Sequence, residues 1–205
     1  FDSLWIKANK GMTRSLVGEV ETLFDAYRTQ HDEGQRESLI AIYNKNFDLI
    51  YNGKEDIELK FNLNDGPIFL KSSENILLFS YLSELTSLGK LLEVEFSKDQ
   101  INRKAITTIF DTQRELQITY EEKSKGMLVN QFIKANKPYI PSKYEPKSSY
   151  IKNKTTDYFK NIDFSNEVLQ SSNLLLDKSL TYIYSVVNEG FTKENNYSFN
   201  IDQVV

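Results

Sequence analysis

The 205-residue sequence contains no cysteine. That removes disulfides, thiolate nucleophiles and cysteine-ligated zinc from this chain. Histidine occurs once, as His31 in the charged stretch YRTQHDEGQRE. General acid–base or metal chemistry would need partners that its spacing does not supply, so a surface histidine is expected. No apolar run approaches the ~18 residues that cross a bilayer, and no secretory leader is visible. The chain begins at Phe1, which reads as a trimmed start, so the missing leader is uninformative. Basic charge is not in excess: 25 Lys and Arg stand against 29 Asp and Glu, a net −4. The two signs are interspersed, whereas nucleic-acid binders usually carry a basic face, so no nucleic-acid partner is expected. Glycine-rich phosphate loops, serine-centred elbows and internal repeats are also absent.

What is present is ordinary globular material, 40% hydrophobic and 13% aromatic, enough to bury a core. The first third alternates with period two. Leu4, Ile6 and Ala8 face one way, as do Leu16, Gly18 and Val20; ESLIAIYN is a short apolar run. In FDLIYNGKEDIELKF, Phe47, Leu49 and Tyr51 alternate, Asn52-Gly53 supplies a turn, and Ile57, Leu59 and Phe61 resume. This predicts a β-hairpin with one apolar face, ended by NLNDGP. The period then becomes 3.6. Ser72 or Ser73 can cap a helix whose stripe is Leu78, Leu82, Leu85, Leu88 and Leu92. Ser97-Lys98-Asp99-Gln100 fits a capping box for a second helix, with Ile101, Ala105, Ile109 and Leu116 as its stripe and a break at Gly126 before Ala135. Residues 136–154, with three prolines, read as an extended connector. Helix returns in DYFKNIDFSNEVLQSSNLLLDKSLTYIYSVVNEG, capped by Ser165. Phe159, Ile162 and Phe164 are expected to wedge its entry, and Leu176, Leu180, Ile183 and Val187 to dock on the core. YSFNIDQVV reads as the start of a further element.

The chemistry-bearing candidates are few. Glu55-Asp56, Glu121-Glu122 and Asp32-Glu33 are adjacent carboxylates, which point in different directions along a strand or helix and suit a solvated face better than a hydrolytic pair. Asn64-Asp65-Gly66 lacks the other ligands of a calcium loop and reads as a turn. Tyr139, Tyr144 and Tyr150 in the connector could line a sugar or peptide groove. The preferred reading is that they pin the connector to the domain's own helices, since each buried aromatic is worth about 1.5–3 kcal/mol.

Four segments carry a family resemblance: NFDLIYNGKEDIELKFN (46–62), KSSENILLFSYL (71–82), GMLVNQFIKANKPYIP (126–141) and DYFKNIDFSNEVLQSSNLLLDKSLTYI (157–183). Together they resemble the N-terminal, non-thioredoxin region of TlpA-like thiol-disulfide oxidoreductases of Gram-negative cell envelopes. The resemblance spans roughly residues 40–190. It implies an exported protein of the periplasm or cell envelope and a thioredoxin domain downstream, with a CxxC pair whose thiolate attacks disulfides. This chain has no cysteine, so no catalytic residue carries over.

The expectation is therefore an α+β fold: a small antiparallel β region over 1–70, then a helical region over 71–205 with the extended Pro/Tyr connector at 136–154, the whole forming one unit. No catalytic residue, cofactor or metal is expected. The chain would position a catalytic domain, recognise an envelope protein or form a homodimer. The alternative is a stand-alone envelope module for glycan or peptide, with Tyr139, Tyr144 and Tyr150 as its surface; a carboxylate hydrolase comes third.

Overall fold

The computed structural model describes residues 4–8, 49–62, 66–188 and 190–204. The fold is α+β, a small antiparallel sheet followed by helices. The chain divides into two compact units, Phe1–Ser80 and Tyr81–Val205. His31, the Leu16–Val20 pattern, ESLIAIYN, Asp32-Glu33 and most of the NLNDGP turn lie outside the described residues.

The first unit holds a sheet ordered β1-β2-β3, with β1 at Leu4–Ala8, β2 at Ile57–Asn62 and β3 at Gly66–Lys71. The alternating residues of β1 do form a strand, antiparallel to β2 with Leu4 opposite Phe61 and Ala8 opposite Ile57. The hairpin, however, is not where the Asn-Gly signal put it. Gly53 does turn, at φ 70°, but residues 49–52 form no strand. β2 instead pairs forward with β3, Asn62 opposite Gly66, so the region of NLNDGP connects two strands rather than ending them. The reason is a competing partner for the backbone of Ile50. The amide of Asn75, fully buried, accepts from Ile50 N at 2.9 Å and donates to Ile50 O at 2.7 Å, doing with one side chain what a neighbouring strand would do. Ile57 and Leu59 on β2 are buried, and Phe69 on β3 meets Phe79 at 5.1 Å.

Helix α1, Ser73–Phe96, follows at once. Ser72 caps it as expected, its hydroxyl accepting from Asn75 N at 3.2 Å, and Glu55 reinforces the start by accepting from Ser73 N and Oγ, both at 2.9 Å. The expected leucine stripe holds: Leu78 and Leu92 are buried, with Leu82, Leu85 and Leu88 half-buried between them.

The second unit packs the rest of α1 with α2, Arg103–Lys123; α3, Val129–Ala135; α4, Lys147–Thr156; α5, Glu167–Gln170; α6, Leu174–Ser185; and α7, Lys193–Asp202. The cap of α2 is Asn102, accepting from Ala105 N at 3.0 Å, not the Ser97 box; Ser97 Oγ donates back to Glu93 O at the end of α1. The buried face of α2 only partly matches the expected stripe. Leu116 is buried and Ile109 packs on the core, but Ile101 is exposed, and the centre of the face is Ile106, Phe110, Gln113, Leu116, Gln117 and Tyr120. Of the two glutamines inside it, Gln117 finds partners there, whereas the buried Gln113 Oε1 has none. Tyr81 donates to Gln117 Oε1 at 2.6 Å, and Gln117 Nε2 donates to Glu121 at 2.7 Å. Gly126, at φ 80°, makes the expected break, and Asn130 donates to Glu121 O and Ser124 Oγ, closing the end of α2.

The connector is extended only to Pro146. Its last residues form α4, because Pro146 occupies the N-cap, where a proline's fixed φ starts a helix instead of breaking one. The final signature is also turned. α5 is capped by Asn166 rather than Ser165, accepting from Val168 N and Leu169 N, while Ser165 donates to Asp163. On α6 the expected core stripe faces out: Leu176 is 58% exposed, Leu180 and Val187 are exposed too, and only Ile183 is half-buried. Tyr182 is the buried residue, meeting Tyr158 at 5.2 Å and Phe159 at 4.9 Å. A shift of one residue rotates a helical face by about 100°, and the aromatic cluster outweighs the leucines in choosing the face. Phe159 does wedge the entry, against Phe164 at 5.7 Å, though Phe164 itself is largely exposed.

YSFNIDQVV belongs mostly to α7, which is fastened to α6 through asparagines. Asn200 Nδ2 donates to Ile183 O at 3.0 Å and Val186 O at 2.8 Å; Asn196 Nδ2 donates to Val186 O at 2.7 Å. Asn188 Nδ2 donates to the Oδ1 of both. The last carbonyls of α6 are thus satisfied by side chains from the next helix.

A candidate recognition groove

The core of the second unit is the cluster Leu92, Phe96, Ile106, Phe110 and Tyr150. Tyr150 is 8% exposed and stacks on Phe110 at 5.6 Å, with Phe96 at 5.4 Å. Tyr139 reaches the same ring at 5.7 Å, and Tyr139 and Tyr144 pack against the cluster. Tyr139 OH donates to Glu145 at 2.9 Å, and Asn153 Nδ2 holds both oxygens of that carboxylate at 3.1 Å. Arg103 lies 5.1 Å over the Tyr144 ring. The three connector tyrosines therefore come together at one core, and their rings hold 139–150 onto α1 and α2.

On the far side of Tyr150 lies a groove of about 730 Å³. Gly89, Leu92, Glu93 and Phe96 of α1 form one wall; Lys147, Tyr150, Ile151 and Lys154 of α4 form another. Tyr158 and the end of α6 with Val186 and Val187 close it. Gly89 is what keeps the α1 wall low, since a side chain there would project into open space. Val187 is 85% exposed at the lip and Ile151 is exposed beside it, so the groove shows aliphatic surface to solvent. The Asn188–Asn196–Asn200 network fixes Val186, and with it this lip.

The electrostatics of the walls are unequal. Burial, helped by the neighbouring Tyr139 phenol and then by the charges of Glu145 and Glu93, pushes the Tyr150 phenol up to about 12. Burial likewise raises Tyr139, aided by its hydrogen bond to Glu145. Lys178 on α6 is pushed below the usual lysine range by burial and then by the charge of Lys154. Lys147 and Lys154 place two positive charges on the α4 wall, and Glu93 places a negative one on the α1 wall.

Three of the carboxylates flagged in the sequence have structural partners: Glu55 caps α1, Asp56 pairs with Lys71 at 3.1 Å, and Glu121 accepts from Gln117, while Glu122 is exposed. Among the described residues no group of three or more His, Asp or Glu side chains is placed to hold a metal ion. No helix of the described residues is long and apolar enough to cross a membrane. Sequence reasoning singled out Tyr150 but missed the rest of the groove. Its floor comes from α1 and α4, far apart in sequence, and its lip from the stripe expected to be buried.

No family model, curated protein or solved structure matches the chain.

Proposed function

We propose that this chain is a non-catalytic recognition module of a cell-envelope thioredoxin-like protein, and that the groove between α1, α4 and the end of α6 receives a polypeptide segment. The observation that carries the reading is the groove itself, with Leu92, Phe96 and Tyr150 beneath and Ile151 and Val187 uncovered at its edge. Apolar side chains left at the rim of a concavity are the usual mark of a surface with a partner. The thioredoxin half of the reading rests on the resemblance of 157–183 and its companion segments to TlpA-like proteins. Tyr139 and Tyr144 spend their rings on the core, which favours a peptide over a sugar stacked on an aromatic platform.

The test uses this chain joined to the downstream thioredoxin domain that the reading implies. Val187→Asp with Ile151→Asp is expected to lower the ratio of kcat/KM on a protein disulfide to that on a small aromatic disulfide by about tenfold, the loss of a modest interface anchor. Ile118→Asp, on the exposed face of α2, should leave that ratio unchanged. An unchanged ratio in the groove variant would overturn the recognition role. A downstream segment without a strand–CxxC–helix pattern would overturn the thioredoxin association.

A further inference from the structure

We infer that the segment this groove takes is acidic as well as apolar, an inference that rests on the recognition reading above. Residues 137–154 contain five lysines, Lys137, Lys143, Lys147, Lys152 and Lys154, against the single carboxylate Glu145, in a chain whose net charge is −4. Glu145 is already engaged by Tyr139 and Asn153. Lys147 and Lys154 line the groove itself, both exposed. The ion pairs formed among the described residues are Lys71–Asp56, Lys98–Glu95, Arg114–Asp111 and Lys160–Asp157, so neither groove lysine is ion-paired to another described residue. Lys178 is depressed chiefly by burial, and the Lys154 charge adds to that. Glu93 on the opposite wall is the acidic member of the lining. A bound carboxylate near Lys147 and Lys154 would offset the two positive charges on the α4 side, while aliphatic or aromatic residues alternating with it meet Leu92, Phe96, Ile151 and Val187. Such charge placement sets which partners are accepted and how fast they arrive.

Three fluorescein-labelled peptides test this by anisotropy on the whole chain. Each alternates leucine or phenylalanine with a second residue: glutamate in the first, serine in the second and lysine in the third. The glutamate peptide should bind about tenfold more tightly than the lysine peptide, as two partly exposed ion pairs predict. The advantage should vanish near 1 M NaCl, where the Debye length is about 3 Å. Lys147→Glu with Lys154→Glu, both solvent-facing changes, should reverse the order. If all three peptides bind alike, and Val187→Asp abolishes all three, the acidic preference is wrong and the groove reading stands. If the charge-reversed variant keeps the original order, the inference is also overturned. If none binds, or binding is indifferent to Val187→Asp, both readings fall.

Discussion

The lip of the groove depends on how α6 ends, and a double-mutant cycle on Asn196 and Asn200 measures this. Asn200 is fully buried; its amide donates to Ile183 O and Val186 O and accepts from Asn188. In Asn200→Ala, Val186 O keeps its donor from Asn196 and Asn188 Nδ2 keeps Asn196 Oδ1. Ile183 O is left without its side-chain donor. One orphaned, half-buried carbonyl costs about 1–3 kcal/mol, so Asn200→Ala should lower stability by about 2 kcal/mol. Asn196→Ala instead strands Asn188 N, which Asn196 Oδ1 accepts from at 2.7 Å, at a similar cost. Only the double variant removes both donors from Val186 O and both acceptors from Asn188 Nδ2. Its cost should therefore exceed the sum of the singles by about 1 kcal/mol or more, the further penalty of these shared groups. Urea unfolding followed by helical circular dichroism gives all three values. Additivity within about 0.5 kcal/mol would show that Val186 O and Asn188 Nδ2 do not couple the two asparagines, and the account of the α6 terminus would be wrong.

Gly89 sits in a helix interior with nothing within 4 Å of an added Cβ, so Gly89→Ala should stabilise by about 1 kcal/mol in chemical denaturation, while Gly89→Trp should fill the groove and weaken peptide binding. Tyr150 has a folded-state pKa near 12, above the ordinary 10.0. Its contribution is therefore intact below pH 10 and lost as pH climbs towards 12, and Tyr150→Phe should flatten part of that fall in stability–pH curves. Asn102→Ala should cost about 1 kcal/mol as a lost cap, whereas Ser97→Ala should cost little; equal losses would restore the capping box at Ser97.

The sequence was most legible where one local signal had no rival. The leucine repeat of α1, the alternation at Leu4–Ala8 and the Gly126 break all stand in the fold. It misled where a polar side chain did work that apolar periodicity ignores. Asn75 takes the backbone of Ile50 that a strand would have taken, Gln117 is buried because Tyr81 and Glu121 satisfy it, and Asn200 joins α7 to α6. Amides carry both donors and acceptors, so they can close a helix end or replace a strand, but nothing in their spacing announces it. The α6 stripe failed differently: the pattern was real, yet Tyr182 with Tyr158 and Phe159 fixed the rotation. That failure is what left Val187 at the groove. Pro146 misled through its dual meaning, ending extended chain by starting α4.

The central claim is that the groove of the second unit is where another polypeptide binds, and hydrogen–deuterium exchange with and without the glutamate peptide tests it most directly. Protection is predicted in three separate stretches, residues 89–97, 147–158 and 181–187, with none in β2 or β3. Protection confined to the sheet, or spread evenly over the chain, would contradict it.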